Sequence, residues 1–540
     1  MNAALWKAAV LNEWRLRSRR VSTLVILLTV VAVSWLMVLD PRTGRATMVT
    51  GGQRIAYDSQ ALAFATGVMA CMLFGLAGFY LARGRSQEDL RCGTAAVLAA
   101  TPVTNVQLLG ARWLGAFGFL MSLGTALMLT LWVLQLVRGE GPLRPVPYLQ
   151  MLLLGLAPGM MMCASLAVLA DAWAPLMRKR GDALYWVFWI AQLGFMPAML
   201  SGGASGLSGW QVLDVQGLSV WVVALSRLMD VGSVSIGGAP FRAGLPVLHM
   251  PEGLWSRELV ALRVGAMGVA LLPLLPAVLL FHRYAPDRVK GAGAGRGRAV
   301  AVLQWLSRPV LAPMRWLFGQ LLGLSARVPG LAGRLLADVS LVLLSQPVLA
   351  LVMTACVAAS VAVPTSALPR VMALALGAWG IAVADVSSRD WQSGTLGMAS
   401  ATAGGAPERG WRQAVAAFGL GVIVGAPALL RLSVEAPLRA AACLAGLLFF
   451  SAGAALLGRL TRGARTFLAL YLFSLYLGLQ RTGIAALDML GVSGAATAGS
   501  VAAYAAAGGL GVLALAAMPR MARGISGISD VSRLIGTTPR

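Results

Sequence analysis

The run ALAFATGVMACMLFGLAGFYL, residues 61–81, is apolar from end to end and carries no charged side chain. A helix needs about 20 such residues to cross the hydrocarbon core of a bilayer. Similar runs occupy 21–38 and 260–281, and they are continuous, whereas barrel strands alternate with period two. Because every backbone group in lipid must be paired within its own segment, the sequence predicts an all-α polytopic membrane protein.

The composition favours the same class. Of the 540 residues, 58% are hydrophobic and 12% are charged, whereas a soluble domain carries about 25% charged residues. The formal net charge of +24 invites a nucleic-acid interpretation, but the 44 basic residues are scattered in small clusters between apolar runs. Such clusters follow the positive-inside rule. We therefore expect no nucleic-acid partner, and we expect both termini on the cytoplasmic side.

Hydropathy predicts about 12 transmembrane helices, six in each half of the chain. An amphipathic helix that lies in the membrane interface is predicted before each set, at 2–20 and 302–345. The predicted spans are 21–38, 61–81, 108–136, 148–172, 184–200, 260–281, 347–363, 371–384, 414–430, 440–457, 467–479 and 501–518.

The two halves are predicted to be separate six-span domains, 1–286 and 302–540, joined by a flexible basic linker at 287–301. Residues 201–259 are rich in Gly and Ser and too broken to span, so they predict an external region with re-entrant or interfacial helices. The preference for Arg over Lys and the abundance of Ala and Gly favour a high-GC bacterial genome. The membrane would then be the bacterial inner membrane.

A short motif occurs at the same point of each half, after the second predicted span. Asp89-Leu-Arg-Cys-Gly93-Thr94 and Asp390-Trp-Gln-Ser-Gly394-Thr395 share the pattern D-x-x-x-G-T. Both halves start on the cytoplasmic side, which predicts two parallel repeats related by an axis along the membrane normal.

The chain offers little chemistry of its own. No lysine follows a glycine, so a P-loop for ATP is absent, and no triad, metal motif or paired-carboxylate site is present. We expect no catalytic residues, no metal and no cofactor. The predicted spans are nearly free of the ionisable groups that ion-coupled carriers use. Asp171, Asp385, Arg112 and Arg263 lie near span ends, where we expect them to snorkel, and an uncharged pathway suits an amphipathic or lipid-like cargo.

Residues 85–112 resemble the hallmark segment of type-2 ATP-binding-cassette exporter permeases. That segment has an acidic residue, Gly-Thr, an apolar helical turn, Pro-Val and a Leu-Leu-x-Gly-Lys start to the next span; Arg112 replaces the final Lys. In the family, this loop forms a short coupling helix that docks into a cleft of the ATPase. In the second half, Gly404–Pro407 replaces the Thr-Pro-Val. The resemblance assigns the ATPase-coupling loops to Glu88, Asp89, Gly93, Thr94, Pro102, Arg389, Asp390, Gly394 and Thr395.

The resemblance implies a non-catalytic permease with two fused six-span domains. It would be driven by two copies of a separate ATPase subunit, which would bind the ATP and magnesium, and it would favour export. Membrane lipid and an accessory or periplasmic protein are further expected partners. Glu88 and Asp89 could cap the following helix and offer charge to a basic cleft. The alternatives are an ion-coupled secondary transporter and a non-transporting scaffold of an assembly complex.

Overall fold

The chain forms two compact units, Met1–Gly295 and Arg296–Arg540. Most of the predicted linker 287–301 lies outside the described residues, and its last residues, 298–301, begin a helix. The computed structural model describes residues 3–177, 179–200, 207–229, 234–282, 298–401, 405–479 and 483–534.

Apolar helices dominate both units, as the sequence predicts. Within the described residues, 7 helical stretches are long and apolar enough to cross a membrane, and the number rises to 9 if each of two bent helix pairs counts as one span. The seven stretches are Ser59–Arg91, Asn105–Arg138, Pro145–Ala172, Arg257–Leu280, Glu408–Glu435, Pro437–Thr461 and Ala498–Met518.

Three predicted spans fall on helices outside these nine. Residues 184–200 lie in helix Lys179–Leu200, and residues 371–384 and 467–479 lie largely in the shorter apolar helices Leu368–Val383 and Arg465–Leu479. Every predicted span therefore coincides with a helix, while a total of twelve crossings stays a prediction.

Each bent pair lies at the entry to a run of apolar helices. In the first unit, Trp6–Ser18 and Val21–Met37 meet at 71°, and in the second unit Gly330–Ser345 and Pro347–Ala362 meet at 105°. Pro347 is the first residue of its helix, where its missing N–H would have no helical acceptor. The predicted amphipathic segment 302–345 is two helices, Arg298–Arg327 and Gly330–Ser345.

Local sequence signals explain where the long helices of the first unit begin. The Asp58 side chain accepts a hydrogen bond from the Ala61 N–H at 2.8 Å and caps Ser59–Ala82. Thr104 and Gln107 form a capping box at the start of Asn105–Arg138. The α-helices of this unit are Ala3–Ser18, Val21–Met37, Ser59–Ala82, Arg85–Arg91, Thr94–Ala100, Asn105–Arg138, Pro145–Gln150, Ala157–Ala172, Lys179–Leu200, Leu218–Met229, Arg257–Leu271 and Leu274–Leu280.

Two loops that are far apart in the sequence pair as a small antiparallel sheet in the first unit. Strand Arg45–Thr50 lies between Gln53–Arg54 and Val234–Pro240. The predicted re-entrant region 201–259 therefore contributes a strand as well as helix Leu218–Met229. The prediction missed this sheet because its central pairing joins segments almost 200 residues apart, and strand formation depends on such cross-strand partners.

All regular secondary structure in the described residues of the second unit is helical. Pro427 lies inside one of its long helices. The α-helices are Arg298–Arg327, Gly330–Ser345, Pro347–Ala362, Leu368–Val383, Arg389–Gln392, Leu396–Ala401, Gly405–Glu435, Pro437–Thr461, Arg465–Leu479 and Ala498–Leu534.

Candidate functional site

The first predicted coupling loop folds as two short helices around Asp89, which we name the first loop site. The Asp89 carboxylate is 0% exposed and forms an ion pair with Arg112 of helix Asn105–Arg138. Arg85 lies 3.0 Å from the other carboxylate oxygen, and the Thr94 hydroxyl donates to that oxygen at 3.2 Å. Asp89 therefore fastens the loop to the long helix, which contradicts the expectation that its charge faces a partner.

Glu88 remains nearer the surface and joins the loop to the N-terminal segment. Its carboxylate accepts from Arg20 at 2.5 Å and lies 3.6 Å from Arg85. An ion pair this close to water contributes about 1 kcal/mol or less. Glu88 is thus a surface link, and Asp89 is a buried anchor.

The N-terminal helix is joined to the loop site by a second buried carboxylate, Glu13. Glu13 lies 2.7 Å from Arg17 and 3.0 Å from Arg85. Burial would raise the pKa of the Glu13 carboxyl, but Arg17 and Arg85 outweigh it and hold the pKa below its ordinary value. Glu13 is therefore ionised at neutral pH, and the sequence prediction did not include it.

A glycine lets the N-terminal helix approach the long helix closely. A Cβ atom on Gly115 would lie 2.5 Å from the Glu13 Cβ, a distance that only a hydrogen at Gly115 permits. Arg17 also donates to the Ala82 carbonyl at 3.3 Å, at the end of helix Ser59–Ala82. The N-terminal helix, the loop and the long helix thus meet at one point.

The second short helix, Thr94–Ala100, divides into a buried face and an exposed face. Gly93 precedes it with a φ of +74°, a left-handed conformation that favours glycine. Ala95 packs in a core cluster with Leu109 and Ala277 from two long helical stretches. Val97 is 68% exposed, and Pro102 is exposed where the chain leaves the helix. The outward face is apolar and uncharged.

The second predicted coupling loop has a corresponding arrangement, which we name the second loop site. Asp390 lies in helix Arg389–Gln392 and forms an ion pair with the buried Arg409 of helix Gly405–Glu435. Gly394 has a φ of +73°, and the Thr395 N–H donates to the Asp390 carbonyl at 3.0 Å. Both loops thus have, in the same order, an acid paired with an arginine of the following long helix, a left-handed glycine and a threonine.

The second loop site is also joined to the helix that enters its unit. Asp338 of helix Gly330–Ser345 lies 2.9 Å from Arg412, and Arg334 pairs with Glu408. Asp338 therefore joins the entry helix to the long helix Gly405–Glu435, which also carries the Arg409 that pairs with Asp390. Helix Leu396–Ala401 exposes 77% of Met398, the counterpart of Val97 as an apolar outward side chain. Gly404, part of the departure from the Thr-Pro-Val pattern, lies outside the described residues.

Another buried arginine, Arg83, lies beside the first loop site. Arg83 donates to Asp182 and lies 3.6 Å from Asp171, while the Gly84 N–H donates to Asp171 at 2.7 Å. Asp171 was expected to snorkel, but it is 6% exposed and holds the loop. These partners are 87 to 99 residues apart in sequence, so no spacing rule could have found them.

Arg263 also differs from the snorkelling expectation. It is 0% exposed in helix Arg257–Leu271, and its guanidinium lies 5.1 Å from the Trp221 ring centroid. Its nitrogens donate at 2.8–3.1 Å to four main-chain carbonyls, those of Leu154, Gly155, Asp214 and Val215. Arg263 therefore joins helical stretch 145–172 to the turn before helix Leu218–Met229.

The exposed thiol of Cys92 gives a direct test of which membrane face holds the first loop site. The other cysteines, Cys71, Cys163, Cys356 and Cys443, are buried. We expect a membrane-impermeant maleimide to label Cys92 in inside-out vesicles and not in intact cells, because the positive-inside rule places this loop in the cytoplasm. A Cys92→Ser variant should abolish the labelling. Labelling of Cys92 from the outside of intact cells would contradict the predicted orientation.

Comparisons with protein-family models, with curated proteins and with solved structures each found no match. In the part of the chain that the structure describes, no group of three His, Cys, Asp or Glu residues could hold a metal ion. The geometry of the two loop sites is therefore the main guide to function.

Proposed function

We propose that the chain is the membrane-spanning permease of an ATP-binding-cassette exporter, driven by two copies of a separate ATPase subunit. The observation that carries this proposal is the equivalent pair of loop sites. Each has an acidic residue held by an arginine of the next long helix, a left-handed glycine and an apolar short helix that faces outward. One such loop in each unit suits a partner that is present in two copies.

The internal contacts suggest how each loop would transmit movement. The Asp89–Arg112 ion pair couples the first loop to helix Asn105–Arg138, and Glu13 couples it to the N-terminal helix. Ala95 adds contacts with three helical stretches. A displacement of the outward face would therefore move several helices together, because a close-packed core transmits strain. ATP binding by the partner would pull on the outward face of each loop. Each unit would then change between two conformational states.

The proposal makes the outward face of each loop the docking surface, through Val97 and Met398. Val97→Asp should weaken binding of the ATPase about tenfold or more, because a charge buried without a partner at an apolar interface costs roughly 1.4 kcal/mol or more. The measurement is co-purification of the ATPase with a tagged chain, followed by titration in nanodiscs. Maleimide labelling of Cys92 should slow when the ATPase is added to the unsubstituted chain.

A matched control is available on the same unit. Val137 is 67% exposed, as Val97 is, but it lies at the far end of helix Asn105–Arg138. Val137→Asp should leave ATPase binding unchanged. The proposal fails if no ATPase co-purifies, which would favour the scaffold alternative, or if both variants bind the ATPase equally well.

A further inference from the structure

A cleft of about 500 Å³ opens in the first unit at the end opposite the first loop site. Gln60 lines the cleft at the start of helix Ser59–Ala82, and Ala82 at the end of that helix contacts Arg17 of the N-terminal helix. The helix has 24 residues and is therefore about 36 Å long. The cleft and the loop site thus lie at opposite faces of a membrane that this helix crosses.

The floor of the cleft is apolar and aromatic. Phe64, Met151 and Leu254 are buried side chains that line it, together with Trp255. The rings of Phe64 and Trp255 each pack edge-on against Trp221, with centroids 5.9 and 5.8 Å apart. Trp221 is itself fully buried, so the rings that line the cleft are packed on the core of the unit. Binding of an apolar chain to this surface would be favourable by about 25 cal/mol for each Å² of apolar surface removed from water.

The rim carries one charge of each sign. Arg144 and Glu252 lie 2.6 Å apart, and their side chains are 63% and 79% exposed. A pair this exposed contributes little, so it can open for a ligand that offers an anion and a cation. Arg144 directly precedes helix Pro145–Gln150. The Gln60 side chain donates to the Pro251 carbonyl at 2.8 Å and fixes the opposite wall.

We propose that this cleft binds a zwitterionic single-chain amphiphile of the membrane, a lysophospholipid with a phosphate and an amine. Its phosphate pairs with Arg144, its ammonium pairs with Glu252, and its hydrocarbon chain lies along two apolar residues of the lining, the exposed Val146 and the half-buried Trp255. The volume is within the range of about 300–1,000 Å³ that encloses a small ligand. The cleft lies wholly within the first unit, so the site does not depend on the proposed ATPase partner.

The experiment uses the full chain alone, purified in a maltoside detergent. The probe is lysophosphatidylethanolamine with a photoreactive group on its acyl chain, and the adducts are mapped by mass spectrometry. We expect adducts on peptides that contain Phe64, Met151 or Trp255. Unlabelled lysophosphatidylethanolamine should compete, and lysophosphatidylglycerol should compete about threefold to fivefold less well, because it cannot pair with Glu252. Arg144→Gln should reduce labelling by a similar factor.

The controls separate the cleft from general binding to apolar helix surfaces. Val146→Trp should abolish labelling because Val146 lines the cleft, whereas Leu149→Trp on the same short helix should preserve it. Both side chains are more than half exposed, so both variants should fold. Adducts spread over exposed helix faces such as that of Leu279, or equal labelling of the two tryptophan variants, would overturn the proposal. Loss of ATPase binding would leave these results unchanged.

Discussion

Replacing Asp89 with asparagine is expected to destabilise the first unit by about 3–5 kcal/mol, because it removes the carboxylate that pairs directly with the buried Arg112 guanidinium. Asparagine keeps the size of the side chain but loses the charge that Arg112 and Arg85 share. Arg112 is 3% exposed and cannot recover the lost interaction from water. The effect therefore measures the loss of the direct ion pair, with Glu13 as the remaining buried carboxylate whose charge acts on Arg112.

The chain supplies its own reporter for this measurement. Cys71 and Cys163 are buried in the first unit and react with a thiol-specific dye only when that unit unfolds. Thermal unfolding of Asp89→Asn in detergent should show these thiols reacting at a clearly lower temperature than in the unsubstituted chain. The exposed Cys92 reacts at the start and sets the baseline.

Two further variants make the Asp89 prediction specific. Glu88→Gln, which removes the neighbouring surface carboxylate, should cost about 1 kcal/mol or less. Combining Asp89→Asn with Arg112→Met removes both buried charges and should restore much of the stability. If Asp89→Asn unfolds at the same temperature as the unsubstituted chain, the charge of Glu13 is enough to compensate Arg112, and the anchoring role of Asp89 would be wrong.

The helices and the loop motif could be predicted because their signals are local. An apolar run of about 20 residues decides a helix without reference to the rest of the chain. For the loop around Asp89 to Thr94, the resemblance predicted one short coupling helix, with Glu88 and Asp89 capping the helix after them. The structure instead has two short helices, with Asp89 inside the first and Gly93 at the start of the second. The second motif lies at the corresponding place, where helix Arg389–Gln392 is followed by Gly394 in a left-handed conformation.

The partners of the loop residues could not be predicted in the same way. Arg112 is 23 residues from Asp89, and Glu13 is 72 residues from Arg85, so only the folded chain brings these charges together. Near span ends, the sequence favours snorkelling for such residues, because an isolated charge would reach towards water. When such a residue has a partner of opposite charge, as Arg112 has in Asp89, it can be buried instead of reaching towards water.

One feature around Arg263 does have a local signal in the sequence, namely a proline inside an apolar run. Pro158 lacks an N–H, so the Leu154 carbonyl four residues earlier loses its usual helical donor. The chain forms a π-helical segment at Met151–Leu156 immediately before this point. A proline inside an apolar run therefore predicts a free carbonyl, although it does not predict that Arg263 supplies the donor at 2.9 Å.

Replacing Arg263 with methionine is expected to open this part of the first unit and to cost roughly 3 kcal/mol or more. Methionine fills much of the same space but cannot donate, so the four carbonyls lose the hydrogen bonds of Arg263. The Asp214 carbonyl keeps the Gly217 N–H and the Gly155 carbonyl keeps the Cys71 thiol, while a buried carbonyl left unpaired costs about 1–3 kcal/mol. The free-energy cost of Arg263→Lys should lie between zero and the cost of Arg263→Met. A single ammonium has three donors but cannot reach two separate chain segments as a guanidinium does.

Cys71 provides a local readout of the same change. Its thiol lies 3.6 Å from the Gly155 carbonyl, which Arg263 also binds. In Arg263→Met, we expect Cys71 to react with a thiol dye well below the melting temperature, while Cys356 and Cys443 of the second unit stay protected. Arg257→Met, an exposed arginine on the same helix, should leave Cys71 protected. If Cys71 stays protected in Arg263→Met, the turn before helix Leu218–Met229 is held by its other contacts. Arg263 would then be a satisfied cation and not the residue that fastens the turn.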